Sequence, residues 1–127
     1  MQRKLNAEGI QVDVPQLPGG KAPCIATWLR CLKSVLEAVP RGELFLVGHS
    51  LGCNAILRLL AEPDAATFLH GLHGVLCVAG WLSVDEPWDN IRPWCEVRPD
   101  LTAARQTLQA LGASLTLLVS DNDRFSS

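Results

Sequence analysis

Residues 44–60 have the sequence LFLVGHSLGCNAILRLL, in which a wholly apolar segment, Leu44–Val47, leads into a serine between two glycines. A short apolar run of this kind is typical of a strand buried on both faces of a parallel sheet. The apolar positions that follow have the spacing of one helix face: Ala55, Ile56, Leu59 and Leu60. This stretch therefore predicts a buried strand, a tight turn and a helix.

Outward from this stretch, the chain alternates strand-like and helix-like segments. The predicted strands are Ile10–Val14, Leu44–Val47, Val75–Ala79 and Leu115–Val119, and the predicted helices are 1–8, 24–39, the segment from Ser50 to Pro63, and Leu101–Leu111. Residues 80–99, rich in tryptophan and proline, are predicted to be a loop. Strands that alternate with helices predict a parallel α/β sheet with right-handed crossovers.

Composition narrows the class of protein. The 127 residues, 48% of them hydrophobic, predict one domain, 1–127, that can form a core. A formal charge of −2 and a pI of about 5.8 give no electrostatic reason to expect nucleic acid or an anionic membrane as partner. The chain has no apolar stretch of bilayer length and its start has no secretory signal, so we expect a soluble cytoplasmic protein.

The five cysteines follow no metal-binding spacing. They are Cys24, Cys31, Cys53, Cys77 and Cys95, without any C-x-x-C pair. Zinc ligands cluster at short spacings, so we expect no metal here. Each cysteine lies in or beside an apolar segment, which favours buried or half-buried reduced thiols over disulfides.

The serine motif Gly-x-Ser-x-Gly, residues 48–52, predicts a nucleophile elbow because it joins a strand to a helix. Ser50 would be the nucleophile, held in a strained turn, and the backbone N–H of Leu51 would donate to the oxyanion. Gly48 and Gly52 would remove side chains that collide as the helix passes the strand. The alternative is a serine that binds an anion or caps the helix.

An acidic pair follows the last predicted strand, in the sequence Ser120-Asp121-Asn122-Asp123. Functional residues of parallel sheets gather beyond the carboxyl ends of the strands. Asp121 or Asp123 could therefore orient a catalytic histidine. The alternative is a polar turn, in which aspartate and asparagine are common.

A general base is harder to find. The three histidines are His49, His70 and His73, and all of them precede the acid, whereas the triad order in this class of fold is serine, acid, histidine. We expect the turn to direct the His49 ring away from Ser50. His70 and His73 are expected to be exposed loop residues at the amino end of a strand. The sequence therefore predicts no general base.

Several motifs together resemble the small serine hydrolases of the YdeN and retinoblastoma-binding-protein-nine type. They are Leu46–Arg58, Trp28-Leu29, Val78–Trp81, Ser120–Asp123 and Val14–Pro18. The resemblance implies a three-layer α/β/α hydrolase fold without a lid, acting on carboxylic esters or related acyl bonds and without a cofactor. It implies that Ser50 is the nucleophile. Asp123 matches the family acid better than Asp121, although Ser126-Ser127 departs from the family pattern.

Two departures from the family concern the ends of the domain. The family begins with a strand whose His-Gly-type loop donates the second oxyanion N–H, and it continues past the acid to a last strand and a histidine. The first strand would lie between Ile10–Val14 and Leu44–Val47, so its absence would leave unpaired edges inside the sheet. We expect a fragment or a remnant of a longer hydrolase, with little or no turnover.

A tryptophan-rich loop supports a second interpretation. Trp81, Trp88 and Trp94, with Pro87 and Pro93, are predicted to lie near the mouth of the pocket. Tryptophan is enriched at binding hot spots, so the chain could be a non-catalytic protein-interaction module that retains the hydrolase fold. The same residues could instead line a pocket for a small acyl substrate or belong to the core. Acyl transfer rather than hydrolysis would use the same site.

Overall fold

The structure is a computed structural model that describes residues 2–122. Its strands are β1 (Leu44–His49), β2 (Leu72–Val78) and β3 (Ser114–Leu118), and its helices are α1 (Gln2–Ala7), α2 (Ile25–Ala38), α3 (Leu51–Leu60), α4 (Ala65–Phe68), α5 (Arg92–Glu96) and α6 (Leu101–Leu111). No helix within residues 2–122 is long and apolar enough to cross a membrane.

The three strands form one parallel sheet in the order β1-β2-β3. In its register Gly48 lies beside Cys77, and Cys77 lies beside Leu117. Helices connect each strand to the next, and Gly112, with φ of 65°, ends the helix before β3. The predicted parallel α/β class is confirmed.

The core lies between one face of this sheet and a layer of helices. Helix α3 packs against β1, α2 and α6. The core side chains come mainly from α3, from β2 and from the segment between them: Cys53, Ile56, Leu59, Leu60, Phe68, Leu69, Leu72, Val75 and Cys77. The alternating pattern of β1 places Leu44 and Leu46 toward this core, which is why the motif begins on a well-packed strand.

The opposite face of the sheet is exposed. Phe45 and Val47 of β1 are 62% and 54% exposed, and Leu118 of β3, on the same face by register, is 57% exposed. Residues 2–122 therefore supply two of the three predicted layers, a sheet and one helical layer. The apolar pattern of β1 correctly predicts a strand, but its predicted burial on both faces is wrong for the described residues, because only one face is covered.

The predicted strand Ile10–Val14 is wrong. This segment is irregular, and the Val12 N–H donates to Asn6 Oδ1 at 3.0 Å. A strand requires a neighbour for its backbone groups, and β1 has β2 as its only described neighbour. Alternation of apolar and polar residues is therefore not sufficient for a strand here.

The predicted loop 80–99 contains a short helix that the sequence analysis missed. Helix α5 has proline at its first turn, where the missing N–H costs nothing. Pro93 therefore starts a helix instead of marking a loop. The four-residue α4 was also not predicted, since it is too short to show a periodic pattern.

All five cysteines are free. Cys53 and Cys77 are buried, Cys31 and Cys95 are half-buried, and Cys24 is exposed. The predicted burial is therefore correct for four of them and wrong for Cys24, which directly precedes α2 and faces solvent.

Candidate active site

Ser50 lies in the turn between β1 and α3 with φ of 51° and ψ of −118°. This backbone conformation is unfavourable for any residue with a Cβ, and such strain is concentrated at functional sites. Two backbone hydrogen bonds maintain it: the Ser50 N–H donates to the Val78 carbonyl at 2.9 Å, and the Cys53 N–H donates to the Ser50 carbonyl at 3.0 Å. The turn is therefore fixed both to β2 and to α3.

The two glycines of the motif differ in what they permit. A Cβ on Gly48 would lie 2.9 Å from the Cys53 nitrogen and 2.9 Å from the Gly52 carbonyl carbon, so β1 can approach α3 only with glycine here. A Cβ on Gly52 would meet nothing within 4 Å among the described atoms. The predicted role in close packing thus applies to Gly48 and is wrong for Gly52 in this structure.

The Ser50 side chain does not cap helix α3. Its Oγ makes no capping hydrogen bond, and its positive φ is not the extended backbone of a usual N-cap. Oγ instead accepts a hydrogen bond from the indole Nε1–H of Trp81 at 3.1 Å. The hydroxyl therefore lies on the carboxyl side of the sheet and accepts no hydrogen bond from the first N–H groups of α3.

Leu51 is the first residue of α3. Its N–H is one of the four at a helix start that have no partner within the helix. The positive end of the helix dipole lies at the same point, beside Ser50. These groups can stabilise negative charge on an oxygen bound next to the Ser50 hydroxyl.

Two of the three histidines, His70 and His73, lie far from this turn, and His49 directly precedes Ser50. His73 lies at the amino end of β2, where Nδ1 is 3.0 Å from the Gly71 carbonyl and Nε2 is 3.7 Å from the Glu43 carboxylate. His73 lies within a strand and not in the predicted loop, but it is exposed as predicted. His70 is half-buried before β2, and His49 is exposed at the end of β1. Within residues 2–122, no histidine hydrogen bond to Ser50 is present.

One of the two acid candidates, Asp121, falls at the expected end of the sheet. Asp121 lies in an exposed turn three residues after β3, where the Asn122 N–H donates to Ser120 Oγ at 3.2 Å. Asp123 lies outside the described residues. Ser50 and Asp121 thus share the carboxyl edge of the sheet, with β2 between their strands.

The three tryptophans of residues 80–99 have three different environments. Trp94 is fully buried, donates to the Pro23 carbonyl at 2.8 Å and packs edge-on against Trp28. Trp88 is 68% exposed. Trp81 is half-buried and contacts Ser50. The contact between Trp81 and Ser50 was not predicted from the sequence. The position of Trp81 just after the strand next to β1 indicates that it can lie near the turn.

Two buried thiols lie directly behind the turn. Cys53 Sγ donates to the Val78 carbonyl at 3.4 Å. A hydrogen bond between the thiols lowers the pKa of Cys53 and raises the pKa of Cys77, because the Cys77 S–H would stabilise a thiolate at Cys53. Among residues 2–122, no group of three or more histidine, cysteine or acidic side chains is placed to hold a metal ion.

Comparison with known proteins agrees with this geometry. YdeN of Bacillus subtilis (strain 168), a protein named as a hydrolase, is 33% identical over 81 residues, which are 64% of this chain and 40% of YdeN. The chain therefore matches less than half the length of that relative. The crystal structure of the B. subtilis ydeN gene product is similar in fold, with a TM-score of 0.54 at 23% identity over 92% of this chain and 73% of that one. A sequence model of the serine hydrolase family matches residues 1–127, so the chain belongs to the serine hydrolase family.

Proposed function

We propose that this chain carries the nucleophile of a serine hydrolase acting on carboxylic esters or related acyl bonds, with residues 1–127 as one domain. Ser50 is the nucleophile. The observation that carries the proposal is the backbone of Ser50, φ 51° and ψ −118°, at a strand-to-helix turn that leaves Oγ free of any capping role. Strain of this kind at a serine, next to unpaired helix N–H groups, supports nucleophilic catalysis.

The reaction has two steps. Ser50 Oγ attacks the acyl carbonyl carbon and loses its proton to a base, and the bond from that carbon to the alcohol oxygen breaks as the alcohol leaves with a proton. Water then attacks the acyl-enzyme, which releases the acid and restores the hydroxyl. The Leu51 N–H contributes to binding the oxyanion. Asp123, or Asp121 in its place, orients the base, as the family resemblance implies.

Within residues 2–122, no histidine is hydrogen-bonded to Ser50 as a general base would be. The three histidines of the chain all lie within residues 49–73, and His70 and His73 lie near the amino end of β2, away from the turn. We therefore propose that the 127-residue chain turns over slowly. Loss of one triad member costs about 10⁴–10⁶ in rate.

A fluorophosphonate probe tests the nucleophile. Attack by Ser50 forms an Oγ–P bond and expels fluoride, with the proton going to solvent. We expect slow covalent labelling of the chain, mapped to Ser50 by mass spectrometry and abolished in Ser50→Ala. Labelling that persists in Ser50→Ala would show that another residue reacts, and rapid ester turnover by the wild-type chain would contradict the missing base.

The matched control is the double variant His70→Gln/His73→Gln. Because these rings lie at the opposite end of the sheet, its labelling rate should remain within about twofold of wild type. A loss comparable to that of Ser50→Ala would identify one of them as the base.

One observation favours the second function, a protein-interaction module. Trp88 is 68% exposed on the loop that also carries Trp81, and exposed tryptophan is a common binding anchor. Absence of any Ser50 labelling, with the fold intact by circular dichroism, would favour this function over catalysis.

A further inference from the structure

The segments that supply the donor and the acceptor of the hydrogen bond between Trp81 and Ser50 each contain a residue with a strained backbone. Within residues 2–122, the non-glycine residues with positive φ are Ser50, at 51°, and Ala79, at 49°. Ser50 carries the acceptor of this bond, and Ala79 is two residues before its donor. Conformations of this kind persist only where the surrounding structure imposes them.

The segment Ala79–Trp81 is held from two directions. The Ala79 N–H donates to the Leu118 carbonyl at 2.8 Å, which ties the segment to β3. A Cβ on Gly80 would lie 2.9 Å from the Cys53 Cβ, so Gly80 is pressed against helix α3. These contacts leave Trp81 little freedom and direct its indole toward the turn.

The chemistry of an indole determines what this contact can do. The Nε1–H group is a donor only, so Ser50 Oγ must be the acceptor, and the serine's own hydrogen remains available for transfer to a base. A donor fixed 3.1 Å from Oγ stabilises negative charge that develops there as the proton leaves.

We propose that Trp81 is a catalytic residue of this site, whose indole N–H orients the Ser50 hydroxyl and stabilises its deprotonated form. This inference rests on the proposed function of Ser50 as nucleophile. It assigns to the loop after β2 a part in the reaction that is separate from the oxyanion groups at the start of α3.

The test measures the rate of fluorophosphonate labelling from pH 7 to pH 10 in the 127-residue chain. Trp81→Phe retains an aromatic ring and removes the donor, so we expect labelling about tenfold slower, the loss of one hydrogen bond to a developing charge. The matched control is Trp28→Phe, the same substitution at another half-buried indole, whose Nε1–H donates to the Pro18 carbonyl and not to Ser50, and its rate should stay within about twofold of wild type.

Two further readouts separate this role from packing. Loss of the donor should lower the labelling rate far more than it lowers the urea midpoint of unfolding, whereas a packing defect would lower the midpoint together with the rate. Trp81→His restores an N–H donor and should recover part of the lost rate. Equal rates in Trp81→Phe and wild type, with Ser50 still labelled, would overturn the role of Trp81 and leave the nucleophile intact.

A variant that fails to fold does not end the test, because Ser50→Ala removes the acceptor instead. The indole proton of Trp81 should move upfield in the NMR spectrum of Ser50→Ala, and an unchanged resonance would overturn the inference. No labelling of Ser50 in the wild-type chain would overturn this inference and the proposed function together.

Discussion

The two ends of the same sheet differ in the backbone strain of their residues other than glycine. At the carboxyl ends of the strands, Ser50 and Ala79 have positive φ and Gly48 touches the backbone of α3. At the amino ends, His73 is exposed and its Nε2 lies 3.7 Å from the Glu43 carboxylate, where solvent screens the contact. Close packing occurs at both ends, because a Cβ on Gly71, just before β2, would collide with the Gly42 carbonyl oxygen. Among residues 2–122, positive φ at residues other than glycine occurs only at the end where we propose the chemistry.

This difference shows that residue type alone identifies a functional site poorly, and that the position of the residue in the fold must be known as well. Histidine is the usual catalytic base, yet His70 and His73 lie toward the amino end of the sheet, away from Ser50. Tryptophan is usually interpreted as a core residue or as part of a binding surface, yet Trp81 contacts the Ser50 hydroxyl. The predictions that follow test how far the contrast between the two ends extends, in order of decreasing effect.

The largest effect is expected from a methyl group at Gly48. Gly48→Ala places a Cβ 2.9 Å from backbone atoms of α3 that cannot move independently, so it should lower the free energy of unfolding by about 3 kcal/mol or more. Gly52→Ala is the matched control, since its Cβ meets no described atom within 4 Å. It should be neutral or stabilising by up to about 1 kcal/mol, because alanine favours helix. Urea denaturation measures both, and equal losses would remove the distinction between the two glycines.

A smaller effect of opposite sign is expected at Ala79. Ala79→Gly relieves the positive φ of 49° and should raise the free energy of unfolding by up to about 1 kcal/mol. Ala22→Gly, in an exposed turn without positive φ, should lower it by a few tenths to about 1 kcal/mol through the greater entropy of the unfolded chain. If both variants destabilise the protein, Ala79 is not strained in solution.

The smallest effect is expected from the pair Lys33–Asp64, which lies in the helical layer near the amino end of β2. A hydrogen bond from Lys33 lowers the pKa of Asp64, and the same bond raises the pKa of Lys33. The pair therefore stabilises the fold between these two titrations. Its contribution is lost as pH falls below the ordinary aspartate value of 3.8 through the lowered folded one, or rises past the ordinary lysine value of 10.5 through the raised folded one.

Asp64→Asn tests this pair. At pH 7 the variant should show a small drop in melting temperature, because both groups are accessible to solvent, and the difference from wild type should shrink in acid and in 1 M salt. A large drop that persists in 1 M salt would contradict the description of this pair as a contact that solvent screens.

The sequence predicts the strands, the main helices and the elbow because each has a local signal. β1 and the turn at Ser50 are recognisable from an apolar run followed by Gly-x-Ser-x-Gly, and both lie where predicted. Features that depend on distant partners are not predictable in this way. The segment Ile10–Val14 alternates correctly but has no neighbouring strand, and the bond from Trp81 to Ser50 joins residues 31 apart.

The exposure of β3 affects how readily the segment that carries Trp81 is released from the sheet. Within residues 2–122, β3 is an edge strand and all of its side chains are exposed, so detaching it uncovers little apolar surface and costs less free energy than global unfolding. Its amides are therefore expected to exchange with solvent before those of β1 and β2. Because the Leu118 carbonyl accepts from the Ala79 N–H, each such opening also releases the segment that carries Trp81. The order around Ser50 is therefore coupled to local opening of the strand that leads to Asp121.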